Sequence, residues 1–353
     1  MKRAGTVLRT VSIILLTFIL LSCLPSCIFK RGEKLQTIEF FEYFDTFSTV
    51  KIYESDKDKL SLSKSEIDSL LKEYDMLLDR YEPHEGVVNL YSVNQNAKNG
   101  KISVDEKLFS AISLGIEIHK IANGACNIAL GSVIKLWHDA RTTASIDPSS
   151  AYVPSSDAIS DALLHTDINS IILDPTDTSV QITDPDLSID LGAIAKGYVA
   201  QKLSELLRSL GYEDHLINLG GNVLARGNKS DGTKWNALIE DPLADERKWN
   251  SNVLELSDQT LVTSGSYQRF FTVDGKRYSH IISNRDGMPP EHFISVSVLA
   301  PSSLSYLSDA LSTILFCMDI DAGKKLISNS NGVDAVWLYP DGTVVSTIDG
   351  VSQ

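Results

Sequence analysis

The chain has 353 residues, 43% of them hydrophobic and 22% charged, a composition that supports a large folded core and excludes a disordered chain. Its formal charge of −14 excludes a general basic face for nucleic acid, so any phosphate ligand must be held by a local cluster of charge. Cys126 and Cys317 lie far apart in apolar company without a CxxC pair, which leaves a zinc site or disulfide framework unsupported and reads as buried free thiols.

In chain order, Lys2, Arg3 and Arg9 precede the apolar run "VSIILLTFILL", followed at once by "SC". This is the pattern of a secretion signal, and the run is short for a bilayer span. "LLSC" resembles a bacterial lipobox, in which cleavage leaves Cys23 as the lipidated N-terminus. "LPSC" at Cys27, interrupted by Pro25, and an uncleaved anchor are the alternatives. The expected division is a signal peptide over 1–22, a tether over 23–37 and one domain over 38–353, on the extracytoplasmic face of a bacterial membrane. Losing three basic residues takes the charge from −14 to −17.

"YFDTFSTVKIYES" alternates like a strand, and "SKSEIDSLLKEYDMLLDRYE" has the apolar spacing of an amphipathic helix, with Ser63 or Ser65 as cap. "DEKLFSAISLGIEIHKIANG" predicts a second helix ended by Gly124. The Ser-, Asp- and Pro-rich stretch from 139 to 160 reads as a surface excursion, with a short helix over 157–164. "SIILD" and "VQITD" follow as strands, "SIDLGAIAKGYVAQKLSELLRSLG" as a strand end entering a long helix, and "HLINLGGNVLARG" as two strands about a glycine pair. "WNALIED", "LVTSGSYQRFFTVDGKRYSHIIS" with its "DGKR" turn, and "ISVSVLA" are further strands. "YLSDALSTILFCMD" is a helix, and "DAVWLYPDGTVVST" a closing hairpin. The mixture lacks a regular βαβ rhythm and predicts an α+β fold with largely antiparallel sheets.

Two segments can carry chemistry. In "DLGAIAKGYVAQKL" glycines sit at a helix start, where unpaired backbone N–H groups and the dipole favour anions, and Lys196 adds a positive charge. The plainer alternative is that Asp190 caps the helix and Lys196 is solvated. In "SDALST", Asp309, Ser312 and Thr313 share a helical face and offer hard oxygen ligands of the kind magnesium takes; the alternative is a capped helix whose hydroxyls bond back to the preceding turn. Gly220 and Gly221 permit either a tight turn or close ligand approach. Ser264 and His280 lack a nucleophile elbow, so a hydrolase triad is not expected, and His280 is either a structural strand residue or a general base.

Together these blocks resemble the ApbE family, the FAD:protein FMN transferases or flavin-trafficking lipoproteins, from about Phe40 to Met318 and including the lipobox. The resemblance implies an ApbE-like (T-fold-like) architecture. "FDT" is similar to the family's "MGT", which makes Phe44 a flavin contact, and Tyr81 resembles an aromatic that packs on the flavin. "GACN" stands where the family has "GAFD", so Ala125, Cys126 and Asn127 fall in the FAD-contact segment with an amide replacing the usual acid. Asp190 and Lys196 match FAD-contacting positions. The carbonyl of Ala193 with Asp309 and Thr313 matches magnesium ligands, and Ser312 is their neighbour. "HIISNRDG" departs from the family's "HIIDPxTG" but keeps His280, Ile281 and Gly287.

The implied reaction is magnesium-dependent transfer of FMN from FAD to a Thr or Ser hydroxyl of an acceptor protein, releasing AMP, with His280 or a carboxylate near the metal taking the proton. Hydrolysis of FAD to FMN and AMP, or a surface lipoprotein that binds flavin without turnover, are the alternatives. The implied partners are FAD, magnesium, the acceptor protein and the membrane reached through the lipid.

Overall fold

The structure, a computed structural model, describes residues 33–244, 252–328 and 330–351. The expected signal segment, Cys23 and Cys27 lie outside the described residues, among which no helix is long and apolar enough to cross a membrane.

Eight strands form one large sheet: β1 (Leu35–Phe40), β2 (Ser48–Tyr53), β3 (His215–Leu219), β4 (Asn222–Arg226), β5 (Gln259–Gly265), β6 (Ser295–Pro301), β7 (Asp334–Leu338) and β8 (Val344–Ser346). They lie side by side in chain order, every neighbouring pair antiparallel. The sheet is therefore a meander with excursions inserted at its turns. The excursions carry helices α1 (Lys57–Leu78), α2 (Leu90–Asn96), α3 (Glu106–Ile121), α4 (Gly131–Ile146), α5 (Ser156–Leu163) and α6 (Ala195–Ser209) between β2 and β3. Helices α7 (Ser305–Cys317) and α8 (Ile320–Ser328) lie between β6 and β7. A small sheet of Ile102–Ser103, Ser179–Ile182 and Ile171–Asp174 and two hairpin ribbons complete the α+β architecture.

Alternation along the strands explains the layering. In β3, Ile217 and Leu219 join the core shared with α1, α3 and α6, while Leu216 faces the other way, against Trp235 and Ala237 of the Trp235–Leu238 ribbon. Both faces of the sheet are covered, and each aliphatic side chain buried there contributes about 1.5–3 kcal/mol relative to exposure. A third cluster packs Val296, Val298 and Trp337 of the sheet under Leu315 and Phe316 of α7.

Several expected boundaries shift for identifiable reasons. Strand pairing starts at Leu35, inside the stretch expected as tether, and "YFDTF" is a loop, because Phe44 and Asp45 adopt positive φ (56° and 50°), which ends a strand. Helix α1 begins at Lys57, where Asp56 accepts the N–H groups of Asp58 and Lys59; Ser63 is an interior residue, not a cap. The expected excursion over 139–160 is helical through Ile146. Buried Val133, Trp137, Ala140 and Ala144 recur at helical spacing, and the two alanines were easily overlooked as an apolar stripe. The "DGKR" turn is as expected, with Asp274 and Gly275 both at positive φ in a two-residue hairpin.

Candidate active site

The centre of the site is a close crossing of α6 and α7. A Cβ on Gly197 would lie 2.6 Å from the Ser305 carbonyl oxygen and 2.8 Å from Asp309 Cβ, so only glycine lets the two backbones approach this closely. The Gly197 N–H lies in the first turn of α6, where it has no helical acceptor, and it donates to Asp309 Oδ2 at 2.9 Å. Asp309 is only 3% exposed. Its other oxygen, Oδ1, accepts from Asn222 Nδ2 at 3.3 Å and faces Lys196 Nζ at 3.6 Å. Ser264 on β5 reaches the same helix, with its hydroxyl 2.7 Å from Ser312 Oγ and 3.2 Å from Thr313 Oγ1. The structure thus joins the two segments that the sequence marked for chemistry, and adds Asn222 and Ser264 to them.

Strand register explains that convergence. Ser48, Leu219, Asn222 and Val262 are cross-strand partners in one row, and Ser264 lies two residues further along the same face as Val262. The Gly220–Gly221 turn closes β3 onto β4 at this end of the sheet. A Cβ at Gly220 would strike Thr46 Oγ1 at 2.2 Å, so the turn also brings the "FDT" loop to the site. Both glycines have positive φ (55° and 91°). The sequence left a turn or a ligand approach open here; the glycine pair serves the turn and thereby positions Asn222.

Three cations, Lys196, Arg269 and Arg141, gather around His280 beside this crossing. Arg269 donates to the carbonyl oxygens of Phe44 (3.4 Å) and Asp45 (2.7 Å), and the Phe44 N–H is held by Asp75 Oδ1 at 2.7 Å, which fixes the strained "FD" loop. Tyr81 is exposed on one side and stacks on His138 with ring centroids 4.3 Å apart. Arg141 is half-buried, donates to His138 Nδ1 at 3.4 Å, and has no carboxylate within ion-pair distance among the described residues. Desolvation, then the charge of Arg269, pushes its guanidinium below the ordinary range. His280 is exposed yet crowded by protein. Desolvation and the charges of Arg269, Lys196 and Arg141 outweigh its bond to the Arg269 carbonyl and lower its pKa to about 4. Its Nδ1 lies 3.1 Å from that carbonyl, which assigns the proton to Nδ1 and leaves Nε2 as an acceptor.

Other expected contacts prove to be engaged within the protein. Asp190 forms an ion pair with Arg80, both side chains at most 10% exposed, and its Oδ1 accepts the Gly192 N–H at 2.7 Å, so its carboxylate anchors the turn into α6. Asn127 donates from Nδ2 to the Thr166 carbonyl (2.8 Å) and accepts the Ala129 N–H at Oδ1 (3.0 Å). The first of these bonds requires an amide, which accounts for Asn where the resemblance expects Asp. Cys126 is buried, and desolvation, then the charges of Asp309 and Asp190, pushes its thiol up to about 12, so it is an unreactive wall of the site. Ala125 is half-buried at the edge of the same core, and Ile281 is 7% exposed. The departing residues after His280 build their own turn. Asn284 donates to the Gly124 carbonyl, Asp286 Oδ1 accepts the Met288 N–H at 3.2 Å, and Gly287 keeps positive φ with its carbonyl bonded to Trp137 Nε1 at 2.7 Å.

The donor set suits a hard divalent cation. Asp309, Thr313 and the Ala193 carbonyl are all oxygen, and the nearby thiol is held neutral, which disfavours zinc. Ser312 contributes less directly. It is fully buried and donates to the carbonyl of Asp309 at 2.9 Å, as the back-bonding alternative foresaw. Lys196 supplies the positive charge at Asp309 in this structure.

A buried carboxylate and hydroxyls packed against a helix start, with Lys196, Arg269 and Arg141 nearby, suit an anionic ligand. The ApbE family profile matches residues 44–337. The chain is 33% identical over 79% of its length to an FAD:protein FMN transferase of Treponema pallidum, of which the match covers 77%. It is 31% identical over 80% of its length to one of Klebsiella pneumoniae, covering 83% of that protein. Among solved structures, the ApbE protein of Thermotoga maritima superposes with a TM-score of 0.75 at 25% identity, covering 88% of this chain and 96% of that one. The flavin transferase ApbE of Vibrio cholerae has a TM-score of 0.72 at 24% identity, covering 89% and 97%. The chain belongs to the ApbE family.

Proposed function

We propose that the chain is an FAD:protein FMN transferase that moves FMN from FAD to a Thr or Ser hydroxyl of an acceptor protein, with magnesium and with release of AMP. The observation that carries the reading is the contact of buried Asp309 with the N–H of Gly197 and the ammonium of Lys196 at the start of α6. The names of the relatives at 33% and 31% identity support the same reading.

In this mechanism the FAD diphosphate lies against the start of α6, where Lys196 and the positive end of the helix dipole meet its charge. Magnesium, held by Asp309, Thr313 and the Ala193 carbonyl with Ser312 alongside, supplies the charge that makes two phosphates tolerable in so acidic a protein. Phe44 and Tyr81 border the flavin, and Ala125, Cys126, Asn127, Asp190 and Ile281 shape the walls behind it. The acceptor hydroxyl gives its proton to Nε2 of His280 as its oxygen bonds the phosphorus on the FMN side. The bridging P–O bond breaks, its electron pair stays with the AMP phosphate, and the acceptor is left with a phosphoester-linked FMN. Lys196 stabilises the charge that grows on the leaving oxygen.

The test is incubation of the purified chain with FAD, magnesium and an acceptor domain, read as in-gel flavin fluorescence. A fluorescent acceptor band is expected, and its absence beside a working control transferase defeats the reading. AMP formed without acceptor points to hydrolysis instead. The same reading has the chain lipid-anchored at Cys23 on the extracytoplasmic face of the membrane; Cys23→Ala is expected to move it from the membrane to the soluble fraction, and retention in the membrane would contradict this.

A further inference from the structure

Asn222 is 2% exposed, sits at the first position of β4, and donates one amide hydrogen bond to Asp309 Oδ1 at 3.3 Å. Its carbonyl oxygen, Oδ1, is fully buried and has no hydrogen-bond partner. An acceptor left unpaired in the interior costs about 1–3 kcal/mol, and a leucine of similar volume at this position would avoid that cost. The orphan lies on the residue that directly touches the buried carboxylate of the site. The polar side chain is thus matched to something that arrives with a donor or a positive charge, next to Asp309.

We propose that Asn222 is a positioning residue of the divalent-cation site: its N–H holds Asp309 Oδ1 in place, and its carbonyl oxygen receives a hydrogen bond from a water carried by the cation. The inference rests on the reading of Asp309 as a cation ligand and adds to it a second shell. Each of the two Asp309 oxygens then has a fixed donor, Gly197 N–H on Oδ2 and Asn222 on Oδ1, so the carboxylate is oriented before any cation enters. Preorientation of a ligand by such partners is worth roughly 10–100-fold in metal affinity. The cation in turn supplies, through its water, the donor that the Asn222 carbonyl lacks.

The experiment measures Mn2+ binding to the purified chain without FAD or acceptor, by the loss of the free Mn2+ electron paramagnetic resonance signal, together with the thermal midpoint with and without Mn2+. For Asn222→Leu the expected results are a Mn2+ affinity about 10–100-fold weaker than wild type and a cation-free midpoint little changed, relief of the unpaired Asn222 oxygen offsetting loss of the donor to Asp309. A lowered cation-free midpoint with Mn2+ affinity within twofold of wild type marks a merely structural asparagine and overturns the proposal. Asn222→Asp keeps the acceptor oxygen but loses the N–H donor to Asp309; it is expected to bind Mn2+ more weakly than wild type yet more tightly than the leucine variant, and an affinity loss equal to that of the leucine variant overturns the acceptor role. Asp309→Ala serves as the reference. If it binds Mn2+ as wild type does, the underlying cation reading fails, whereas loss of binding in Asp309→Ala with none in Asn222→Leu refutes the Asn222 inference alone.

Discussion

Two regions of this molecule bury charge, and they do it in opposite ways. Near the N-terminal edge of the sheet, Glu54 is 5% exposed and every oxygen is occupied. Oε1 accepts the N–H groups of Ser55 and Asp56, and Oε2 pairs with Lys59 at 2.8 Å and accepts from Tyr212 Oη at 3.1 Å. Tyr212 Oη continues to Ser63 Oγ, and His215 behind it is bonded to Ser204 Oγ and the Tyr212 carbonyl. At the crossing of α6 and α7, Asp309 is as deeply buried but has a cation only at 3.6 Å, and its neighbour Asn222 is left with an unpaired oxygen. A satisfied network of the first kind fixes a fold, while an incompletely satisfied one is adapted to a ligand. The pKa of Glu54 reflects this. Burial alone would raise it, yet Lys59 and the two N–H groups bring it down to about 2.

The largest expected effect separates the two regions by function. Asp309→Ala is expected to lower flavin transfer by about 10²–10³-fold or more, as loss of a principal electrostatic element does, with a far smaller change in thermal midpoint; steady-state assays beside calorimetry test it. Glu54→Ala is the mirror experiment. It is expected to cost about 1–3 kcal/mol by leaving the Tyr212 hydroxyl and the Ser55 and Asp56 N–H groups without their acceptor, while kcat at a temperature well below the midpoint stays near wild type. Were both variants to lose activity and stability alike, the contrast between the regions would collapse.

Acid titration sharpens the same contrast. His215 is fully buried, and desolvation, outweighing its bond to the Tyr212 carbonyl, lowers its pKa from 6.5 to about 4. The unfolded chain then takes up a proton before the folded one does, so stability is complete above pH 6.5 and is lost as pH falls towards 4, by on the order of 3 kcal/mol. Glu54 acts in a lower window. Its contribution is present above about pH 4.5 and disappears as pH falls through about 2. A pH series of denaturant midpoints on wild type and His215→Gln should show the upper step shrink in the variant, the remainder belonging to His280, whose pKa is lowered to about 4 as well, and the lower one remain.

Smaller effects probe the joints of the site. Gly197→Ala forces a methyl against the Ser305 carbonyl and Asp309 Cβ, and is expected to cost about 1–3 kcal/mol with a disproportionate loss of transfer activity, because it parts α6 from α7. Asn127→Asp restores the residue that the family resemblance leads one to expect, yet removes the donor to the Thr166 carbonyl; about 1 kcal/mol of destabilisation without a gain in kcat is expected, by chemical denaturation and assay.

Much of this was legible in the order of the residues, and the misses have physical causes. "ISVSVLA" and "DGKRYS" announce β6 and the hairpin before it because alternation and a two-residue turn are local properties. Helix α7 and the start of α6 were each marked for chemistry, since an acid amid core residues and glycines at a helix start are unusual locally. That they touch, through the N–H of Gly197, depends on packing across a separation of 112 residues, which no short window contains. Asn222 after the glycine pair and Arg80 before Tyr81 carry no local signal, and the partner of Arg80, Asp190, lies 110 residues away. The C-terminal half of α4 looks like loop in the sequence because "DARTTASID" is rich in polar residues, and Ala140 and Ala144 are too small to stand out as a buried stripe.

The large sheet follows chain order, yet β2 meets β3 only after the whole insertion from Glu54 to Asp214 has been laid down. A chain emerging N-terminus first therefore makes the β1–β2 hairpin early and must carry its open edge, from Ser48 to Tyr53, unpaired until His215 to Leu219 arrives. Closing so long a loop is slow, because the entropy is lost before the contacts form. Pairing of β2 with β3, and with it the approach of the loop over 44–46 to the Gly220 turn, is consequently expected late in folding, and until then the edge of β2 is open to misassociation.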